Sequence, residues 1–230
     1  MSHAQNLFTG YVKPVRLTGA PARRGFYLND LPVLSFPGSP DWAVPTREDC
    51  HALWDKYAMP DHIRAHSAVV AAFAECLAQM LADKGVNIHV PSVLAAGLLH
   101  DVGKFYTITH GGSHGQVGGA WVLNETRNPL IAQGVLHHVG WPWPIDGTVE
   151  PWLLSYCIIY ADKRVMHDRV VTQEERYNDL LVRYGITDVS RERISFLHNQ
   201  GLEIGAALSR HLQVDLHEYT FDCGRLVKRT

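Results

Sequence analysis

An all-α fold is predicted from residue 46 onward, and two observations carry the prediction. Apolar residues recur at three- and four-residue steps through one segment after another, and those segments open on capping residues or prolines. The first forty-five residues read differently. Pro14, Pro21, Pro32, Pro37, Pro40 and Pro45 break any helical period there, so residues 1–45 are expected to form an irregular arm. It has room for one short hairpin near Gly25-Phe26-Tyr27-Leu28 and Val33-Leu34. The helical domain is expected over 46–212, with a C-terminal tail over 213–230.

Taken in order, Thr46 followed by Glu48 and Asp49 has the form of an N-cap with acid in the first turn, and a short helix runs from Cys50 to Tyr57. Asp61 begins a long helix whose inward stripe contains His66, Val69, Val70, Phe73, Leu77, Met80 and Leu81. Pro91 and Ser92 open the next, in which Val93, Ala96, Gly97 and His100 share a face, the small residues inviting another helix to approach closely. Residues 106–112 are expected to be a loop. His114 then starts a helix, and Asn128-Pro129 restarts the chain into another, in which periodicity leaves open whether His137 or His138 points inward. Trp141-Pro142-Trp143-Pro144 cannot be helical. Pro151 opens an apolar helix expected to continue to about Asp168. Thr172-Gln173-Glu174-Glu175 is a capping box ahead of a helix ending near Gly185, and a long helix from about Ser190 to Leu212 closes the domain.

Composition limits the chemistry. Charged residues make up 19% of the 230-residue chain and the formal net charge is -2, so no basic surplus points to nucleic acid. The amino terminus lacks the basic start and apolar run of a signal peptide, and no run of roughly 18 apolar residues is read. A cytoplasmic protein without a membrane partner is the expectation. The four cysteines form no C-x-x-C pair, whereas there are 14 histidines; a metal site here would therefore be built from imidazole and carboxylate.

Histidine and aspartate fall at telling positions. Leu98-Leu99-His100-Asp101-Val102-Gly103-Lys104 ends an apolar run with two adjacent ligand-type residues. His66, His114, the pair His137-His138 and Asp162 lie at other helix ends or on buried stripes. Asp162 sits between isoleucines and valine on its helix, where an unpaired carboxylate would cost several kcal/mol. Five separate elements thus aim nitrogen or oxygen ligands inward.

In that order, these residues resemble the HD-domain superfamily of metal-dependent phosphohydrolases over roughly residues 50–210. Leu99 to Lys104 resembles its HDIG signature with Val102 in place of isoleucine, Ser113 to Ala120 resembles the H-x-x-x-G-A segment, and Tyr160-Ala161-Asp162-Lys163-Arg164 resembles the terminal aspartate motif. The chain departs from the cyclic-dinucleotide branch, having Val139-Gly140-Trp141-Pro142-Trp143 where that branch carries a glutamate and then G-Y-P. The resemblance implies an HD-domain helical bundle in which His66, His100, Asp101 and Asp162 hold one divalent ion. It implies a second ion on His114 and His137, with or without His138, bridged by Asp101. Iron, manganese, magnesium, cobalt, nickel and zinc are all compatible.

The implied reaction is hydrolysis of a phosphoester, in a nucleotide or related phosphorylated small molecule, by a metal-activated water. Asp101, Lys104 and His138 are the catalytic candidates. Arg64, Lys104, Lys163 and Arg164 are candidates for holding phosphate oxygens. The alternatives are a di-iron oxygenase of the same superfamily and a non-catalytic metal-containing ligand-binding module; an oligomer is compatible with each.

Overall fold

A long apolar helix, α2 (Asp61–Asp83), forms the axis of the fold, burying Ile63, His66, Val70, Phe73, Leu77 and Leu81 along one stripe. The computed structural model describes residue 39, residues 41–145 and residues 152–229; the expected hairpin in the N-terminal arm lies outside them. By length and composition α2 also meets the test for a membrane-spanning helix, with a mean hydropathy of 1.4 over its most apolar window. In the fold α2 packs as a core helix against α3 (Val90–Leu99) and α7 (Leu153–Asp162).

Two close approaches shape the bundle. At Gly97 an added Cβ would stand 2.6 Å from Ala71 Cα, so only glycine lets α3 lie this near α2. At Gly103 it would meet the His114 carbonyl and the Gly118 amide nitrogen, each at 2.7 Å. That contact brings α5 (His114–Thr126) against the turn that follows α3. The α5 helix pairs in turn with α6 (Pro129–His137), whose N-cap Asn128 accepts from the amides of Leu130 and Ile131. On the outer side, α1 (Arg47–Lys56) is capped by Thr46 and Asp49 in a reciprocal box, and its Trp54 indole donates to the Leu98 carbonyl at 2.8 Å. Each residue of α7 is buried, as its unbroken apolar sequence requires.

Three expectations need correction. Residues 104–110 form a short helix, α4 (Lys104–His110), where a loop is expected from residue 106. None of its residues is buried, so it carries no apolar stripe for periodicity to detect. The α7 helix stops at Asp162 instead of running to about Asp168. Val165–Met166 (β1) pairs antiparallel with Arg169–Val170 (β2) through a turn in which His167 has φ 57°. Arg164 fastens this reversal, donating from Nε to the Val171 carbonyl at 2.7 Å. After α8 (Gln173–Tyr184) and α9 (Asp188–Leu212), the segment read as a tail is ordered as a turn at Leu216–Glu218 and a hairpin of β3 (Tyr219–Asp222) and β4 (Arg225–Lys228). Phe221 stacks on Phe73 of α2 with centroids 5.1 Å apart. The all-α class holds, with two small hairpins added.

Candidate metal centre

Five helices deliver one or two side chains each to a single buried point. His66 comes from the stripe of α2, His100 caps α3 and is followed by Asp101, His114 is the first residue of α5, His138 caps α6, and Asp162 is the last residue of α7. Three of the rings are fixed by main-chain carbonyls. Nδ1 lies 2.7 Å from the His167 oxygen for His66, from Gly97 for His100 and from Val135 for His138. A carbonyl only accepts, so Nδ1 carries the proton in each neutral ring and the Nε2 lone pair is turned into the site.

The ligand atoms fall into two groups that share Asp101: His66, His100 and Asp101, then Asp101, His114 and His138. Asp101 Oδ2 lies 3.5 Å from His100 Nε2 and 3.9 Å from His66 Nε2. Its Oδ1 lies 3.4 Å from His114 Nε2 and 3.5 Å from His138 Nε2. Asp162 Oδ1 flanks the first group, 3.1 Å from His66 Nε2. A neutral His66 therefore presents a lone pair to a carboxylate oxygen, an arrangement that needs a cation or a proton between them.

The electrostatics agree. His100 is fully buried and Asp101 only 1% exposed, yet His100 Nε2 and Asp101 Oδ1 have no hydrogen-bond partner. Such orphaned groups cost about 1–3 kcal/mol each, more when charged. Burial, only partly opposed by Asp101, pushes His100 down to about 3, and burial together with His138 pushes His114 down to about 4; both rings are neutral near pH 7 and ready to ligate. Burial acts to raise Asp101 and Asp162. It is outweighed by His100, Lys104 and His138 around Asp101, and by Lys163 and His66 around Asp162, which hold both carboxyls well below their ordinary range. A hard or borderline divalent cation fits this donor set.

Lys104 and Lys163 also reach the site, donating to Asp101 Oδ2 at 2.6 Å and Asp162 Oδ2 at 2.9 Å. Three other candidates do not. His137 turns from the cluster to lie edge-on to Trp141 and Trp143, each at 5.4 Å, because the inward stripe of α6 runs through Ile131 and Val135 to His138. Burial and His138 push it down to about 4. Arg64 faces α1, donating to the Met59 carbonyl and to Asp55 at 2.6 Å. Arg164 is spent internally: Nη1 reaches the Tyr160 hydroxyl at 2.7 Å and Nη2 the Tyr219 carbonyl at 2.9 Å. It is a strut between α7 and the C-terminal hairpin.

A cleft of about 450 Å³ opens onto Asp101, His114, His138 and Asp162, with Lys104 and Lys163 at its floor. Its far wall comes from α8 and α9, including Gln173, Arg176, Tyr177, Leu180, Arg193, Ile194 and Leu197. The sequence reading places none of these at the site, Ile194 and Leu197 reading as core and Gln173 as part of a capping box. The available signal was the pairing of Gln173 and Arg176, three residues apart, with Leu180 a turn further on: a polar pair sharing the inward face of an otherwise exposed helix.

An all-helical bundle that gathers histidine, a His-Asp pair and a distant aspartate about one buried point defines a metal-binding class. The HD-domain family profile matches residues 63–175, and this part of the chain is an HD domain, of a family whose members bind divalent metals and are generally hydrolases. Over 158 residues it is 30% identical to an uncharacterized protein of Methanocaldococcus jannaschii, an alignment covering 61% of this chain and 88% of the relative.

Proposed function

We propose that this protein is a metal-dependent phosphohydrolase of the HDIG type, acting on a phosphoester of a nucleotide or a related phosphorylated small molecule. In this reading His66, His100, Asp101 and Asp162 hold one divalent ion, and Asp101, His114 and His138 a second. One observation carries it: the two oxygens of the buried Asp101 face two different histidine pairs, and Oδ1 and the neighbouring His100 Nε2 have no protein partner. Bound ions supply Lewis acidity towards a phosphoryl oxygen and lower the pKa of a water at the site.

The protein's own residues do the rest. The Nδ1 anchors hold the imidazoles in one orientation, so the site needs no rearrangement to receive a cation. Lys104 and Lys163 keep both carboxylates ionised and bring positive charge to the cleft floor, where charge develops on phosphoryl oxygens. Ile108, Leu180, Ile194 and Leu197 line the cleft beside them and limit water around the reacting group. His138 belongs with the ligands and not with the proton carriers, since Nδ1 is committed to Val135 and Nε2 to the cluster.

The di-iron oxygenase reading shares the ligand set, and the cations of the cleft favour the hydrolase over it. The deciding experiment is metal analysis of anaerobically purified protein, followed by a phosphoester screen under argon with Mn²⁺, Co²⁺ or Mg²⁺. Phosphate release under argon is expected. Substrate-dependent oxygen uptake without any anaerobic phosphate release would replace the hydrolase reading with the oxygenase.

A further inference from the structure

Gln173 and Arg176 stand on the same face of α8, are 4% and 8% exposed, and line the cleft together with Asp101 and Asp162. Arg176 gives Nη1 to Asp179 Oδ2 at 2.8 Å, yet its Nε has no hydrogen-bond partner, and neither has Gln173 Nε2. A buried N–H left without an acceptor is unfavourable, more so on a charged group; the two atoms lie beneath one wall of the cleft, and a ligand that draws both side chains a little into the cleft completes both. The amide of Gln173 is accommodated because α9 has glycine opposite: a Cβ on Gly201 would stand 3.0 Å from its Nε2.

The surrounding charge has a sign. Asp179 is shared between Arg176 and Arg183, the second at 3.4 Å, and Arg193 lines the same cleft, so cations outnumber carboxylates on this wall. Arg176 lines the same cleft as Lys104 and Asp162, which places its charge within electrostatic range of anything bound there. A planar guanidinium with a free Nε suits phosphoryl oxygens in a way a lysine does not.

We infer that Arg176 and Gln173 form the substrate-holding pair of this cleft, donating from Nε and Nε2 to non-bridging oxygens of a phosphoryl group. That group is either the one hydrolysed or its neighbour in a diphosphate. The inference rests on the phosphohydrolase reading for the role of the site, but its test does not depend on turnover. Inorganic phosphate and pyrophosphate are titrated calorimetrically into the metal-loaded protein and into Arg176→Gln, Arg176→Lys and Gln173→Ala.

Arg176→Gln is expected to bind more weakly by a factor on the order of ten to a hundred, with metal content unchanged. Arg176→Lys keeps the charge opposite Asp179 and the fold, but lacks Nε, and should recover only part of the affinity. Loss with both anions assigns the pair to the phosphoryl group at the metals, and loss with pyrophosphate alone assigns it to the neighbouring one. Wild-type affinity for both anions in folded, fully metallated Arg176→Lys overturns the inference, as does failure of the wild type to bind either anion. Phosphate binding that depends on Arg176 in a protein that hydrolyses no phosphoester would sink the hydrolase reading and leave this one standing.

Discussion

At the scale of single residues, Asp101 and His138 are the sharpest tests of the site. Asp101→Asn preserves shape but removes the charge that faces both histidine pairs. Metal analysis should find bound metal lost or greatly reduced, and anaerobic phosphate release should fall with it. The adjacent histidines separate cleanly. His138→Ala is expected to lower the metal stoichiometry by about one ion under the two-ion template, whereas His137→Ala should keep the full complement. Its effect should be confined to packing against Trp141 and Trp143, a destabilisation of about 1 kcal/mol by chemical denaturation. A loss of metal in His137→Ala with none in His138→Ala would reverse the assignment.

At the scale of elements, the site is only as good as the approach of α2 to α3. Gly97→Val would drive side-chain atoms into Ala71, whose Cα already stands 2.6 Å from where a Cβ would be. Overpacking of this kind costs about 1–3 kcal/mol, and because His100 caps the displaced helix, metal affinity should fall as well as the melting temperature. Arg164 anchors a different pair of elements. Arg164→Met leaves the carbonyls of Val171 and Tyr219 without their donor, a cost of about 1–3 kcal/mol for each group that stays buried. Hydrogen exchange should quicken in β2, β3 and β4 before it changes in α2; equal protection in the variant would show that the strut is dispensable.

For the whole molecule, cation binding to the folded state alone raises its stability by about 2.7 kcal/mol at a free concentration a hundred times Kd. Chelation should therefore lower the melting temperature by several degrees, reversibly on adding Mn²⁺, and an unchanged melting curve would argue against a resident ion. The bundle and most residues of its buried cluster were legible in the sequence because helix period and caps are local signals: Thr46, Asn128 and Thr172 mark their helices, and His66 falls on the stripe of α2. What stayed hidden depends on tertiary partners. His137 and His138 differ by one position on a helix, and only Trp141 and Trp143 on one side and Asp101 on the other decide between them. Arg164 reads as a phosphate ligand until the Tyr219 carbonyl is seen beside it. The cleft wall on α8 leaves only the spacing of Gln173, Arg176 and Leu180 as a trace, because a buried Arg176 has the same local signature as a solvated one.

The way the helices end around the cluster has a further effect. The C-termini of α3, α6 and α7 meet at His100, His138 and Asp162, and each carries the negative pole of its helix, equivalent to about half an elementary charge. The N-termini of α5 and α8 present the opposite pole at His114 and Gln173, on the cleft. Backbone polarity alone thus draws positive charge to the side of Asp101 and Asp162 and negative charge to the side of His114 and Gln173, before any side chain ionises. An anion therefore meets favourable poles first beside His114 and Gln173, and settles against the three C-termini only where cations have neutralised them.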